Sequence, residues 1–219
     1  MKILKTIALF FAVRWFNFCD WIYNVFHYYN HIRFAAQETL LFFSYFFISP
    51  YRIARRLEGG YPYGETPHKT LHTIINAAGI TSQDVVYDLG CGRGRSCFWL
   101  AAVVGCKAVG IEYNPVFVKK AQSVLKLLPT AGLEFRLENM LEADLSGATV
   151  IYLYAISMLD SDIEKLAKKL QALPKKPLII TISFSLNEYV PAFRIIKRLQ
   201  VTFPWGEASC YIQTVTNLE

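Results

Sequence analysis

The densest chemistry in this chain sits in seven residues, Asp88-Leu89-Gly90-Cys91-Gly92-Arg93-Gly94. Three alternating glycines let a backbone turn sharply and come close to a ligand. Asp88 stands two places before the first of them, and Glu112 follows eighteen residues after Gly94. A carboxylate at that second place, on the end of the next strand, can accept hydrogen bonds from both hydroxyls of a ribose. Two other readings compete. A G-x-G-x-x-G loop presents a helix N-terminus to a pyrophosphate, and glycines can also form a tight turn that binds nothing. Here the pattern is D-x-G-x-G-x-G. An acid beside the first glycine is awkward against a pyrophosphate and suits a ligand that carries an ammonium and a sulfonium.

Other reactive side chains are weaker candidates. Cys91 lies inside the loop, but a small residue is what the loop needs and no histidine is near it in sequence. His27/His31 and His68/His72 have the i, i+4 spacing of helix-borne metal ligands. Neither pair carries the carboxylate of an H-E-x-x-H pattern, so both read as ordinary helix-surface histidines and no metal site is expected. Lys168-Lys169 and Lys175-Lys176 read as solvated charge at helix ends. Tyr152 and Tyr154 close an apolar stretch, Val150–Tyr154, where aromatic faces would favour a cationic amine. Tyr154 is the candidate that orients the substrate, and Tyr152 reads as buried.

These residues need a scaffold, and the pattern from residue 66 supplies one. Thr66-Pro67 looks like an N-cap and first turn leading into a helix over Lys69–Ala78, stopped by Gly79. Strands are expected at Asp84–Leu89, Ala108–Glu112, Leu133–Glu138, Ala148–Tyr154 and Pro177–Phe184. Helices alternate with them at Arg95–Val104, Pro115–Leu128 and Asp160–Leu173, the last with acids early and lysines late, as the helix dipole favours. Ile195–Phe203 and Ala208–Val215 read as a closing antiparallel pair turned at Pro204–Glu207. Such alternation implies an α/β fold of seven strands, mainly parallel, with helices on both faces.

Ahead of the break at Glu58-Gly59-Gly60-Tyr61-Pro62 the chain changes character, which divides it into an extension over 1–59 and an α/β domain over 60–219. Residues 1–60 hold seven Lys/Arg against three Asp/Glu, or four of the net charge of +6, and about half of the aromatic residues. Basic and aromatic together suggest an anionic membrane surface. The balanced remainder offers no basic stripe for nucleic acid. Three apolar segments, Thr6–Val13, Trp15–Ile32 and Thr39–Ile48, are each shorter than the ~18–20 uncharged residues that cross a bilayer. Trp15–Tyr29 reads as a helix lying in the membrane interface or packed on the catalytic body, and Arg52, Arg55 and Arg56 could reach lipid phosphates. A cap on a soluble protein is the second reading and a true span the third. Five cysteines with no C-x-x-C pair fit free thiols in a reducing cytosol. The expected location is therefore cytoplasmic and peripheral on a membrane.

From about residue 61 to 216 the chain resembles the class I S-adenosylmethionine-dependent methyltransferases, whose first motif is similar to Asp88–Gly94. The resemblance implies a Rossmann-like methyltransferase sheet and S-adenosylmethionine as cofactor. It places Asp88, Gly90 and Gly92 around the methionine part, Glu112 on the ribose and Tyr113 beside the adenine. Asn139 stands where that family usually has an Asp on the adenine amino group; an amide can also serve there. Met140 would pack on the adenine face or simply in the core. Gly60–Pro67 further resembles the segment ahead of the first motif in small membrane-linked protein-lysine methyltransferases, including mitochondrial enzymes acting on ATP synthase subunit c and on the adenine nucleotide translocase. By that likeness Tyr63 and Thr66 would contact the methionine end, the alternative being a turn and an N-cap. The implied reaction moves a methyl group to nitrogen, with a protein lysine near a membrane as acceptor. Tyr-Leu-Tyr-Ala at residues 152–155 replaces the Asn/Asp-Pro-Pro-Tyr/Phe of enzymes that methylate bases and glutamine. An amphiphilic small molecule such as a lipid or quinone, and a non-catalytic scaffold, are the rival readings.

Overall fold

The computed structural model describes residues 2–56, 63–154 and 156–216, with side chains from residue 15 onward. Three helices come first: α1 (Lys2–His27), α2 (Ile32–Ser44) and the short α3 (Pro50–Ala54). Then α4 (His68–Ala78), β1 (Val85–Leu89), α5 (Arg95–Trp99), β2 (Lys107–Glu112), α6 (Pro115–Leu127), β3 (Leu133–Leu137), β4 (Val150–Leu153), α7 (Asp160–Gln171), β5 (Leu178–Ile182), β6 (Phe193–Phe203) and β7 (Gly206–Val215) alternate along the chain. The break expected at 58–62 lies outside the described residues.

The seven strands form one sheet in the order β3-β2-β1-β4-β5-β7-β6. β1 to β5 are parallel to one another, and β7 runs antiparallel between β5 and β6. This is the expected architecture. Parallel strands need both faces covered, which is why β1 and β4 read as continuous apolar runs; Val86, Ile151 and Leu153 are fully buried. Leu89, the last residue of β1, pairs with Ile111 on one side and Leu153 on the other. The glycine loop thus leaves the sheet at its centre, where strand order reverses between β1 and β4. That is the crevice in which such sheets bind ligands.

Helix ends follow local chemistry. Asn114 caps α6, its Oδ1 accepting from Val116 N at 3.0 Å, with Pro115 in the first turn. After α5 the chain widens into a π-helical turn over Leu100–Val104 and stops at Gly105. Two expectations need correcting. The apolar segment Thr39–Ile48 is no single element: α2 spans Ile32–Ser44, and Pro50 opens a new helix, with Ser49 before it in an extended conformation. The N-cap of α4 is Pro67, without a side-chain bond; the Thr66 hydroxyl is hydrogen-bonded to Tyr152 instead.

The N-terminal helices share the core of the sheet's outer face. Tyr28, Phe34, Leu41, Tyr45 and Ile53 pack in one cluster with Ile74, Trp99, Leu100 and Phe117. Fully burying a side chain of that size is worth roughly 1.5–3 kcal/mol. Gln37 fixes α2 further, donating to Leu128 O and Thr130 Oγ1 at 2.8 Å each. Other residues of the same helices stay exposed: Trp15, Phe18, Trp21 and Phe26 on α1, and Phe42, Phe43, Phe46 and Phe47 at the end of α2 and just after it. Among the described residues no helix is long and apolar enough to cross a membrane.

Candidate functional site

The loop after β1 is held by backbone bonds. Gly90 N and Cys91 N both donate to Ile111 O, at 2.8 and 3.1 Å, and Gly94 N donates to Cys91 O at 2.9 Å. Gly92 and Gly94 have φ of +54° and +80°, a region that other residues enter at a cost. Space excludes side chains as well. A Cβ on Gly92 would lie 2.8 Å from Tyr63 Cε2, and one on Gly94 would run into the Phe135 ring.

Both carboxylates meet this loop. Glu112 accepts from Gly92 N through Oε2 at 2.8 Å and from Asn114 N through Oε1 at 2.7 Å. Burial raises its pKa, and the backbone N–H groups hold it back. Asp88 is buried at the end of β1, where Oδ2 accepts from the Ser96 hydroxyl and, at 3.6 Å, from the Cys97 thiol. Burial lifts it to about 6. Cys91 is no nucleophile: its contact with Cys97 and its burial push the thiol well above its ordinary value. Beyond Glu112, Tyr113, Leu137, Asn139, Glu142 and Asp144 line an open cleft of about 640 Å³. Asn139 Oδ1 accepts from Leu141 N at 3.0 Å, which fixes the amide at the cleft wall.

On its outer side the loop is braced by ions. Arg93 makes a two-pronged bond to Glu65, Nε to Oε1 at 2.6 Å and Nη2 to Oε2 at 2.7 Å. Arg95 reaches Glu65 Oε2 at 3.2 Å and Glu38 Oε2 of α2 at 2.8 Å. All four side chains are between 9% and 23% exposed. The Tyr63 hydroxyl donates to Glu65 and accepts from Arg93 Nε. Despite burial, both carboxyls lie below the usual glutamate range, because the Arg93 and Arg95 guanidiniums face Glu65 and Arg95 leads at Glu38. One chain of charges therefore runs from α2 through the segment before α4 to the glycine loop.

His68 is in this neighbourhood and is no surface residue. It is fully buried, stacked 6.4 Å from Trp99 and edge-on to Phe34 at 5.2 Å. Burial pushes it down to about 4, so it stays neutral. His72 bonds the Tyr28 hydroxyl at 2.8 Å. The i, i+4 spacing thus serves α1–α4 packing. Among the described residues no cluster of histidine, cysteine and acidic side chains could hold a metal.

At the end of β4 the structure brings the tyrosines beside the segment that precedes α4. Tyr152 is buried, as expected, and is bonded to Thr66. Tyr154 is half-buried against Gly64, where a Cβ would lie 2.7 Å from its Cε1. Tyr63 next door touches Gly92, so the loop, Tyr63, Gly64 and Tyr154 are continuous. Sequence reasoning missed Glu38, Glu65, Arg93, Arg95 and Trp205, the last of which bonds Tyr154. One signal existed. Two arginines in and directly after a loop expected to hold a cationic ligand must be neutralised by acids from elsewhere.

Residues 88–193 match the family model described as "ANTKMT methyltransferase domain". The chain is 32% identical over 113 residues to a "Protein-lysine N-methyltransferase" of Saccharolobus islandicus, covering 50% of this chain and 70% of that protein. It is 29% identical to a "Histone-lysine N-methyltransferase, H3 lysine-79 specific" of Dictyostelium discoideum, over 66% of this chain but 8% of that much longer one. Among solved structures, an RNA methyltransferase from Salinibacter ruber in complex with S-adenosyl-L-homocysteine is 30% identical at a TM-score of 0.59, covering 71% of this chain and 96% of that one. With the sheet order and the glycine loop at its switch point, these similarities carry one conclusion: the chain belongs to the class I S-adenosylmethionine-dependent methyltransferases.

Proposed function

We propose that this enzyme methylates the side-chain amine of a protein lysine close to a membrane surface. The residues of the crevice fit the cofactor. The loop is a cradle that a Cβ at Gly92 would fill, and its two acids match an ammonium and a ribose diol. Asp88, Gly90 and Gly92 would hold the methionine part, and Glu112 the ribose. Tyr113 and Asn139 would hold the adenine in the cleft they line. Tyr63 would close over the methionine end with its ring, since its hydroxyl is engaged by Glu65 and Arg93. Thr66 would act there by fixing Tyr152.

Bound S-adenosylmethionine supplies the methyl group: the acceptor nitrogen forms the new C–N bond while sulfur keeps the electrons of the broken C–S bond. The protein's part is alignment and exclusion of water. A lysine must first lose a proton to solvent, and a low-dielectric pocket lowers its pKa. Tyr154 would orient the neutral amine. Burial raises its phenol above the ordinary value, so it stays protonated near neutrality and serves as a hydrogen-bonding group, not a base.

The observation that carries the lysine reading is Tyr154 itself, set against the glycine loop through Gly64 and Tyr63. The lysine-directed names of the two relatives support it. The membrane part rests on Trp15 and Phe47, 67% and 90% exposed, and on the exposed Arg52, Arg55 and Arg56, which follow Phe47 within nine residues. Aromatic and basic side chains together suit a lipid interface. Mass spectrometry of membrane proteins, with and without the gene, tests the whole. Loss of a ~14 Da increment on lysine is expected. Labelled methyl groups recovered only in extracted lipid would establish the amphiphilic small molecule as acceptor instead.

A further inference from the structure

Phe203, Pro204, Trp205 and Gly206 form the tip of the β6–β7 hairpin. Since β6 runs parallel to β5, this tip stands at the same edge of the sheet as the glycine loop and the end of β4. Three rings meet there. Tyr154 is stacked on Phe203 at 5.0 Å between centroids with planes 4° apart, and Trp205 is stacked on Phe203 at 5.3 Å and 11°. The Trp205 Nε1–H donates to the Tyr154 hydroxyl at 3.0 Å. Two rings joined edge to edge at that distance, each parallel to a third, must lie on the same side of it. Tyr154 and Trp205 therefore form one nearly flat aromatic plate backed by Phe203, which is 1% exposed, whereas Trp205 is 46% exposed.

From this geometry we infer that Trp205 is a substrate-contact residue: with Tyr154 it forms the platform that receives the acceptor ammonium and holds the amine beside the methyl donor. The inference deepens the lysine reading and rests on it. An indole face is the strongest of the aromatic faces for a cation, and this one opens to solvent at one end and meets the phenol at the other. The indole N–H only donates, so its bond fixes the phenol oxygen as acceptor towards Trp205. The remaining lone-pair density of that oxygen can accept an N–H of the amine, which leaves the nitrogen's own lone pair unengaged for attack. An acid at this place would hold the ammonium protonated. The plate itself carries no carboxylate, so it attracts the cation more weakly than an ion pair would and opposes its deprotonation correspondingly less.

The test uses the full chain saturated with S-adenosylhomocysteine and labelled with nitrogen-15 at its indoles. n-Butylammonium serves as the lysine side-chain probe and n-butanol as the neutral control. The Trp205 indole resonance, identified by its loss in Trp205→Phe, is expected to shift with n-butylammonium and not with n-butanol. Trp205→Phe keeps a ring and loses the N–H; it should weaken probe binding about threefold. Trp205→Leu loses the face and should weaken it roughly five- to thirtyfold, the equivalent of about 1–2 kcal/mol. Both variants should bind S-adenosylhomocysteine within twofold of the unsubstituted protein. A Trp205 resonance unmoved by n-butylammonium, or moved equally by n-butanol, overturns the proposal while S-adenosylhomocysteine still binds. So does a Trp205→Leu protein that binds the probe normally. Failure of the unsubstituted protein to bind S-adenosylhomocysteine would instead take down the cofactor site beneath it.

Discussion

The glycine loop is gripped from two sides by different physics. Towards the sheet, Ile111 O and Glu112 hold Gly90, Cys91 and Gly92 through backbone N–H groups supplied by the loop itself. Towards the N-terminus, Arg93 and Arg95 are held by Glu65 and Glu38, side chains borrowed from segments far away in sequence. The first grip is local and depends on backbone shape. The second depends on four charges arriving together in a place with little water. The shape of the glycine loop and the docking of α2 are therefore coupled, since Glu38 of α2 holds Arg95 at the end of the loop. Removing residues 1–50 to test membrane contact would also remove Glu38.

Breaking the ionic grip should have the largest effect. Arg95→Leu leaves Glu38 without its main partner and Glu65 with one of two. Loss of one member of a buried pair costs about 3–5 kcal/mol, and a fall in Tm on the order of 10 °C is expected by calorimetry. Arg95→Lys should recover only part of it, since an ammonium cannot bridge two carboxylates in one plane. The backbone grip comes next. Gly92→Ala puts a methyl against Tyr63 at a φ of +54°. A strain of roughly 1–3 kcal/mol should weaken S-adenosylmethionine binding by ten- to a hundredfold with Tm less affected.

pH separates the two grips further. Asp88 is raised to about 6 in the folded protein. Its contribution to the stability of the free protein is thus present below the usual aspartate value and lost as pH rises through about 6. Glu38 and Glu65 are lowered, so theirs is present above the usual glutamate value and lost only in stronger acid. In the site proposed above, Asp88 must be ionised to hold the ammonium of the cofactor. Cofactor affinity should fall about tenfold per pH unit below 6, while the Tm of the free protein rises as Asp88 takes up its proton between about pH 6 and 4 and falls only in stronger acid, where Glu38 and Glu65 protonate. Titration calorimetry in buffers of different ionisation heat should show a proton released on binding near pH 5.5 and none at pH 8. The smallest effect on folding should come from the exposed rings. Trp15, Phe18 and Trp21 replaced together by Ser should change stability by less than about 0.5 kcal/mol while vesicle sedimentation falls severalfold. Unchanged sedimentation would separate the aromatic face from membranes.

Much of this was legible beforehand, and the reasons differ by residue. β4 is apolar over its whole length and β1 everywhere but Asp88, because parallel strands are covered on both faces, and that run is visible without a structure. Asp88, the three glycines and Glu112 fall within 25 residues, so the loop declares itself locally. Glu38 and Arg95 do not. They lie 57 positions apart, and nothing in either neighbourhood marks them as partners. His68 was hidden for a related reason: its helix is amphipathic, and only the docking of α1 and α2 turns a second face into interior. Trp205 read as part of a turn, because a hairpin tip carries no period that would show which strand end it leans on.

The most direct measurement is calorimetric titration of S-adenosylmethionine into the full chain and into Glu112→Ala. One site per chain is expected in the unsubstituted protein. Hydrogen bonds to a charged group are worth about 1.5–3 kcal/mol each, so the substitution should weaken binding at least tenfold. An unsubstituted chain that takes up no S-adenosylmethionine, or a Glu112→Ala chain that binds it equally well, would contradict the site placed at the carboxyl ends of β1 and β2.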